Sequence, residues 1–175
     1  DVTSDGLPAC EMAAALAAGD HANLTQVLGR VVGHPDGTLG VVMTLIAPGY
    51  CNLAGPPSFE SCTRDVYAAD ARFAFESVLH MARGVASALA HLHDRGIMHG
   101  DLYAHNLLAN PHGQVLLGDF GAASFHGADR SDLALALQRL EVRAFACLLE
   151  EWLARCDAGP SHLPGVEALQ QLMRA

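Results

Sequence analysis

Asp101, Asn106 and Asp119 are the residues of this chain whose types and spacing carry chemistry. They fall in the run His99-Gly100-Asp101-Leu102-Tyr103-Ala104-His105-Asn106 and, thirteen residues after Asn106, in Asp119-Phe120-Gly121. Six fixed positions, each met by chance about once in twenty, make coincidence along one chain roughly a one-in-a-million event. Phosphoryl transfer asks a protein chiefly to position groups and neutralise charge, because the transferring group carries its own reactivity. Three acceptors suffice for that. Asp101 would take or orient the proton of a substrate hydroxyl, with His99 at the head of the same loop. Asn106 and Asp119 would offer hard oxygen ligands to magnesium bridging phosphates. An aspartate after a glycine is by itself an ordinary turn residue, so the argument rests on the spaced set.

These residues need elements to hold them. Asn106 to Ala109 and Val115 to Leu117 read as short strands joined by the turn sequence Asn110-Pro111-His112-Gly113, a hairpin that brings the two cation ligands to one edge. Before the loop, Val78, Met81, Ala82, Val85, Ala88, Leu89 and Leu92 recur at threes and fours, predicting a helix from about Asp70 to His93. Further upstream a turn-rich stretch from Thr3 to Pro8 leads into a helix over Glu11 to Ala18, stopped by Gly19 and Asp20. Leu24 to Val32 and Leu39 to Ile46 form a second hairpin about His34-Pro35-Asp36-Gly37, and a Pro/Gly segment from Pro48 to Pro57 breaks regular structure. After Ser131 the helical period returns, with Leu133, Leu137, Leu140, Val142, Phe145, Leu148, Leu149, Trp152 and Leu153 predicted as one apolar stripe. Gly159-Pro160 interrupts it, and a last amphipathic segment runs from about Val166 to Arg174.

The composition, 51% hydrophobic over 175 residues, is that of one domain with a sizeable core. A formal charge of -9, with ten arginines and no lysine, argues against nucleic acid and anionic membrane surfaces as partners. No apolar run has the length of a membrane span, and the start at Asp1 is neither a signal nor a transit peptide, so the expected setting is cytoplasmic. Five cysteines without a C-x-x-C pair predict reduced, buried thiols. His91 and His93, two apart on a helix, point to different faces and make no metal pair.

The chain resembles a eukaryotic-type protein kinase domain from its helix C region through helix F. Ala88 to Asp101 reads ALAHLHDRGIMHGD, similar to the L-H-x-x-G-I-x-H-R-D approach to the kinase catalytic loop. His21-Ala22-Asn23-Leu24 resembles the H-P-N-L entry to the fourth strand of the small lobe, and Val41 to Ile46 the fifth strand running into the hinge. Glu141-Val142-Arg143-Ala144-Phe145-Ala146 resembles the opening of helix F. HGDLYAHN, with a short segment before helix F, is similar to small bacterial kinases, including ones attached to leucine-rich repeats. The resemblance implies an α+β protein-kinase-like fold: a partial N-lobe over 1–46 (helix C and two strands), hinge and linker over 47–57, and a mostly helical C-lobe with the catalytic-loop hairpin over 58–175, truncated after helix F/G. It implies ATP and Mg as cofactors, and transfer of the γ-phosphate to a protein hydroxyl, serine or threonine being the expected acceptor. It also implies an attached leucine-rich-repeat or other regulatory domain as a possible partner.

Residue by residue, Asp101, Asn106 and His99 fall on the catalytic loop, and Asn106 with Asp119 on the metal ligands. Met43 falls on the gatekeeper, Leu45 and Ile46 on the backbone that meets adenine, and Leu108 on the floor beneath it. Glu11, ten residues before His21, falls near the helix C glutamate, whose lysine partner would precede Asp1. Several departures mark the chain. Gly100 replaces the arginine of H-R-D, Tyr103 stands where many serine/threonine kinases have a lysine, and no A-P-E closes the segment between Gly121 and Glu141. Nothing reads G-x-G-x-x-G. Two alternatives therefore stay open: a small-molecule kinase of the aminoglycoside-phosphotransferase kind, which shares H-G-D, Asn and a later Asp, and an inactive pseudokinase or interaction module.

Overall fold

A computed structural model describes residues 7–126 and 131–174; the first four residues of the turn predicted from Thr3 to Pro8 lie outside them. The chain opens with helix α1 (Pro8–Ala18), which has Pro8 in its first turn and ends at Gly19, whose φ of 67° favours a residue without Cβ. Strands β1 (Val27–Arg30) and β2 (Val41–Met43) pair antiparallel, with a bulge between Val27 and Gly29. Both are shorter than their apolar runs predict. The start of the first run is taken by other pairing: Leu117 N–H donates to Asn23 O (2.8 Å) and Thr25 N–H donates to Leu117 O (2.9 Å). This ties the segment before β1 to the catalytic-loop hairpin.

That hairpin is β6 (Leu107–Ala109) and β7 (Val115–Leu117), and β3 (Cys51–Asn52) adds to it on the β6 side. The Pro/Gly segment is thus not wholly irregular, since two of its residues complete a three-stranded sheet. Helix α2 (Phe75–Asp94) begins five residues later than the period predicts. Phe73 and Ala74 instead form β4, paired in parallel with β9 (Cys156–Asp157), with Phe73 N–H on Arg155 O at 3.0 Å. All seven predicted apolar positions of α2 are buried, and each large one contributes about 1.5–3 kcal/mol on leaving water. They pack with Trp152, Leu107, Leu117 and Leu148 in a single core. Short β5 (Ile97–Met98) follows and pairs antiparallel with β8 (Ser124–Phe125).

Helix α3 (Asp132–Leu153) is capped by Ser131, whose Oγ accepts from Ala134 N–H at 3.3 Å. Its predicted stripe is only partly right. Leu148, Leu149 and Trp152 are buried, but Leu133, Leu140 and Val142 stand exposed while Glu141 is buried. A hydrogen-bonding demand described below turns that carboxylate inward. A 3₁₀ turn (Pro160–His162) leads to helix α4 (Leu163–Leu172). The cysteines are free as expected but not buried: Cys10, Cys51 and Cys62 are exposed, and Cys147 and Cys156 half-buried. No helix of the described residues is long and apolar enough to cross a membrane.

Candidate active site

The loop from His99 to Asn106 hangs between β5 and β6 and is fixed from three sides. His99 is fully buried. Its Nε2 donates to Gly118 O (2.8 Å), and its Nδ1 accepts from Asp101 N–H (3.4 Å). Only a neutral imidazole protonated on Nε2 makes both contacts. Burial holds its pKa below the ordinary value, in agreement. The ring packs on Phe120 with centroids 5.2 Å apart, so the histidine joins the Asp101 turn to the residues on both sides of Asp119.

The next residue is held through its backbone. Gly100 has φ of 82°, and a Cβ there would lie 2.4 Å from Ala122 O, so this turn admits only glycine without movement. Its N–H donates to Glu141 Oε1 (2.9 Å), and Glu141 Oε2 accepts from His93 Nε2 (2.7 Å). Here is the demand that turns Glu141 into the core. A carboxyl group so deeply placed is tolerated because both oxygens have partners.

Asp101 lies half-buried. The Asn106 amide nitrogen reaches it twice, donating to Asp101 O (2.9 Å) and to Asp101 Oδ2 (2.8 Å). With Nδ2 so committed, Asn106 Oδ1 is the atom left to face a ligand. Gly118 N–H donates to Asn106 O (3.1 Å), which keeps β6 beside the chain entering Asp119. Asp119 is exposed and left-handed, with φ of 60°, and its Oδ1 accepts from Gly121 N–H at 3.1 Å. Its second oxygen is available.

From the third side come Arg64 and Asp65, which sequence reasoning did not single out. Asp65 is buried; its Oδ2 accepts from Ala104 N–H (2.9 Å) and its Oδ1 from His105 N–H (3.0 Å) and His105 Nδ1 (2.7 Å). Arg64 donates from Nη2 to Leu102 O (3.1 Å) and from Nε to Glu151 Oε1 (3.2 Å), with its guanidinium 4.3 Å from the Tyr103 ring centroid. Glu151 Oε2 accepts from Tyr67 O–H (2.9 Å). Burial raises the pKa of Tyr67 and of Glu151, so the phenol stays protonated and donates. The only sequence signal was an adjacent Arg-Asp pair, which reads as a solvated charge pair. A cavity of about 500 Å³ opens here, lined by Arg64, Asp101, Tyr103 and His105 among others.

A family model for protein tyrosine and serine/threonine kinases matches residues 7–147, most of the chain. The chain belongs to this protein kinase family. Among its relatives are the mitogen-activated protein kinase kinase kinase MCK1 of Pyricularia oryzae, 30% identical over 117 residues (65% of this chain, 7% of that protein). Others are a serine/threonine-protein kinase US3 homolog of bovine herpesvirus 1.2, 45% identical over 58 residues (33% and 12%), and the CTD kinase subunit alpha of Schizosaccharomyces pombe, 36% identical over 55 residues (31% and 9%). The chain spans only a small part of the length of these relatives.

Within this kinase domain the catalytic-loop and D-F-G residues are brought together, whereas the remaining predicted site residues are more dispersed. Met43 ends β2 and is half-exposed, and Leu45 is 93% exposed. After the bond from Thr44 N–H to Gln26 O (3.0 Å), the backbones of Leu45 and Ile46 have no backbone partner among the described residues. Leu108 sits half-buried at the centre of the three-stranded sheet, between Asn52 and Leu116. Glu11 is exposed in the first turn of α1 and makes no ion pair among the described residues. No group of three or more His, Cys, Asp or Glu gathers to hold a metal among them, so the candidate cation ligands are one amide and one carboxylate, Asn106 and Asp119.

Proposed function

We propose that this domain transfers the γ-phosphate of ATP to a hydroxyl of a protein substrate, with Asp101 as the group that receives or orients the hydroxyl proton. The observation that carries the reading is the double bond-holding of Asp101 by the Asn106 amide beside an open cavity. It orients a half-buried carboxylate towards space that a hydroxyl can enter. His99 touches neither solvent nor that cavity, so its role is to position Asp101 and the Asp119 turn.

The donor set fits magnesium: Asn106 Oδ1 and the Asp119 carboxylate are hard oxygen donors at the edge of one hairpin. When bound, Mg-ATP supplies the phosphoryl group and the cation that balances its charge. The unpaired backbone of Leu45 and Ile46 would bind adenine, with Met43 as gatekeeper and Leu108 beneath. Glu11 is read as the helix C glutamate, whose lysine partner is absent from this sequence. The serine/threonine kinases among the relatives favour serine or threonine as acceptor. Free cysteines are in keeping with a cytoplasmic setting. HGDLYAHN supports a bacterial source and an attached leucine-rich-repeat or other regulatory domain.

Two substitutions in the full-length protein test the assignment, with Mg-ATP binding and phosphate transfer measured side by side. Asp101→Asn is expected to keep nucleotide binding and lower the transfer rate by about 10²- to 10⁴-fold. Asp119→Asn is expected to lose magnesium-dependent binding. No transfer by the unsubstituted protein, or equal loss of nucleotide affinity in both variants, would overturn the reading.

A further inference from the structure

A second cavity, of about 560 Å³, shares no residue with the one beside Asp101. It lies between α2 and the β6–β7 turn and is lined by Tyr50, His80, Arg83, Gly84, His112 and Gly113, among others. Its charge is the reverse of the molecule's. Three lining side chains are basic and none is acidic, in a chain with 19 acidic residues and ten arginines. His80 and Arg83 stand three apart on one face of α2, about 5–6 Å between Cβ atoms. His80 Nδ1 donates to His112 O (3.1 Å), which draws the turn to the helix and leaves the His112 ring beside Arg83. Arg83 is exposed and has neither ion pair nor hydrogen bond among the described residues. The acid one turn before His80, Glu76, is directed to His162 instead (2.9 Å).

Two glycines fix the shape of this groove. A Cβ on Gly84 would stand 2.7 Å from Val115 Cγ2 and 2.8 Å from Asn23 Nδ2; one on Gly113 would stand 2.6 Å from Ser77 O. The turn therefore sits directly on the helix, and Asn23 Nδ2 bonds Val115 O (3.1 Å) across the same seam. The floor is a packed seam, so the basic groups are held on a pre-formed surface.

We propose that this groove docks an acidic peptide segment of a partner protein, its carboxylates meeting the Arg83 guanidinium and the His112 ring. Arg83 and His112 stand apart, on a helix face and a turn, and do not converge on one point, which suits successive carboxylates along a chain better than a single small ion. A nucleic acid would carry its phosphate array across a molecule of net charge -9, whereas a short acidic segment needs to meet only the local patch. The inference stands on binding and does not rest on the kinase reading.

Isothermal titration calorimetry of the full-length protein with hexaglutamate tests it. Hexaglutamate is expected to bind, and Arg83→Gln/His112→Gln to weaken it at least about tenfold, while the exposed Arg139→Gln on α3 changes it by less than about twofold. All three substituted residues are exposed, so unchanged melting temperatures are expected alongside. The proposal is overturned if hexaglutamate does not bind, or if Arg139→Gln weakens binding as much as the double variant. It is equally overturned if inorganic phosphate or a hexadeoxythymidylate binds as tightly through Arg83 and His112.

Discussion

Position 100 shows how one atom decides a loop. A Cβ there would press on Ala122 O at 2.4 Å, and φ is 82°, so both sterics and backbone conformation oppose a side chain. Gly100→Ala is therefore expected to destabilise the fold by about 2–4 kcal/mol, read as a lowered melting temperature, and to slow any catalysis because the Asp101 turn must shift. A melting temperature within a degree or so of the parent would contradict the geometry. His99 gives a second expectation. Its pKa in the fold is held below the ordinary 6.5 by burial, so protons bind the unfolded chain first as the solution is acidified. The stabilisation is complete above about 6.5 and is lost as pH falls from there towards the folded value. Denaturant titrations between pH 7.5 and 5 check this, and His99→Gln should flatten that part of the profile. At this scale Asp101, Asn106 and Asp119 were legible because their spacing is local. Glu141 was legible only as part of a helix, since its buried bonds reach residues some forty and more positions away in sequence.

At the scale of elements, a loop with almost no regular structure of its own is held by segments that enclose it. Asp65 satisfies the N–H groups of Ala104 and His105 and the His105 ring with one carboxylate, and Arg64 beside it takes Leu102 O. Asp65→Ala removes the acceptor and leaves these donors without a partner near the core. The expected cost is about 2–4 kcal/mol in denaturant unfolding, with faster hydrogen exchange at the Ala104 and His105 amides. Unchanged exchange at those two amides would show that the clamp does not hold the loop. The clamp escaped sequence reading because it depends on contacts about forty residues apart, and a charged pair after a Pro/Gly segment carries no period. Helix α2 was legible because a period repeats over many residues, and α1 because Gly19 and Asp20 mark its end. The two-residue strands β3, β4 and β9 were not, because tertiary pairing makes them and local sequence does not. The same competition moved the start of α2 to Phe75.

The whole molecule ties its candidate site to the segment that follows D-F-G, and this bears on control. In kinases with arginine before the catalytic aspartate, that guanidinium can pair with a phosphorylated residue and order the segment. Gly100 offers no such group and leaves no room for one. The segment has other anchors: Met98 and Ile97 pair with Ser124 and Phe125, His126 N–H donates to Gly96 O (2.8 Å), and Ser131 already caps α3. Ser124 and Ser131 are the only hydroxyl residues between Gly121 and Glu141, and one lies in a strand while the other serves as a helix cap. Among its described residues, order comes from backbone pairing and capping, which need no added charge. The full-length protein is therefore expected to keep its transfer rate, within about twofold, after phosphatase treatment. Ser124→Ala should behave likewise, while Ser131→Ala should lower stability by about 1 kcal/mol through the lost cap without removing activity at temperatures where the fold is intact. A phosphatase-treated protein that loses most of its activity, with the same loss reproduced by either alanine variant, would place control back in this segment.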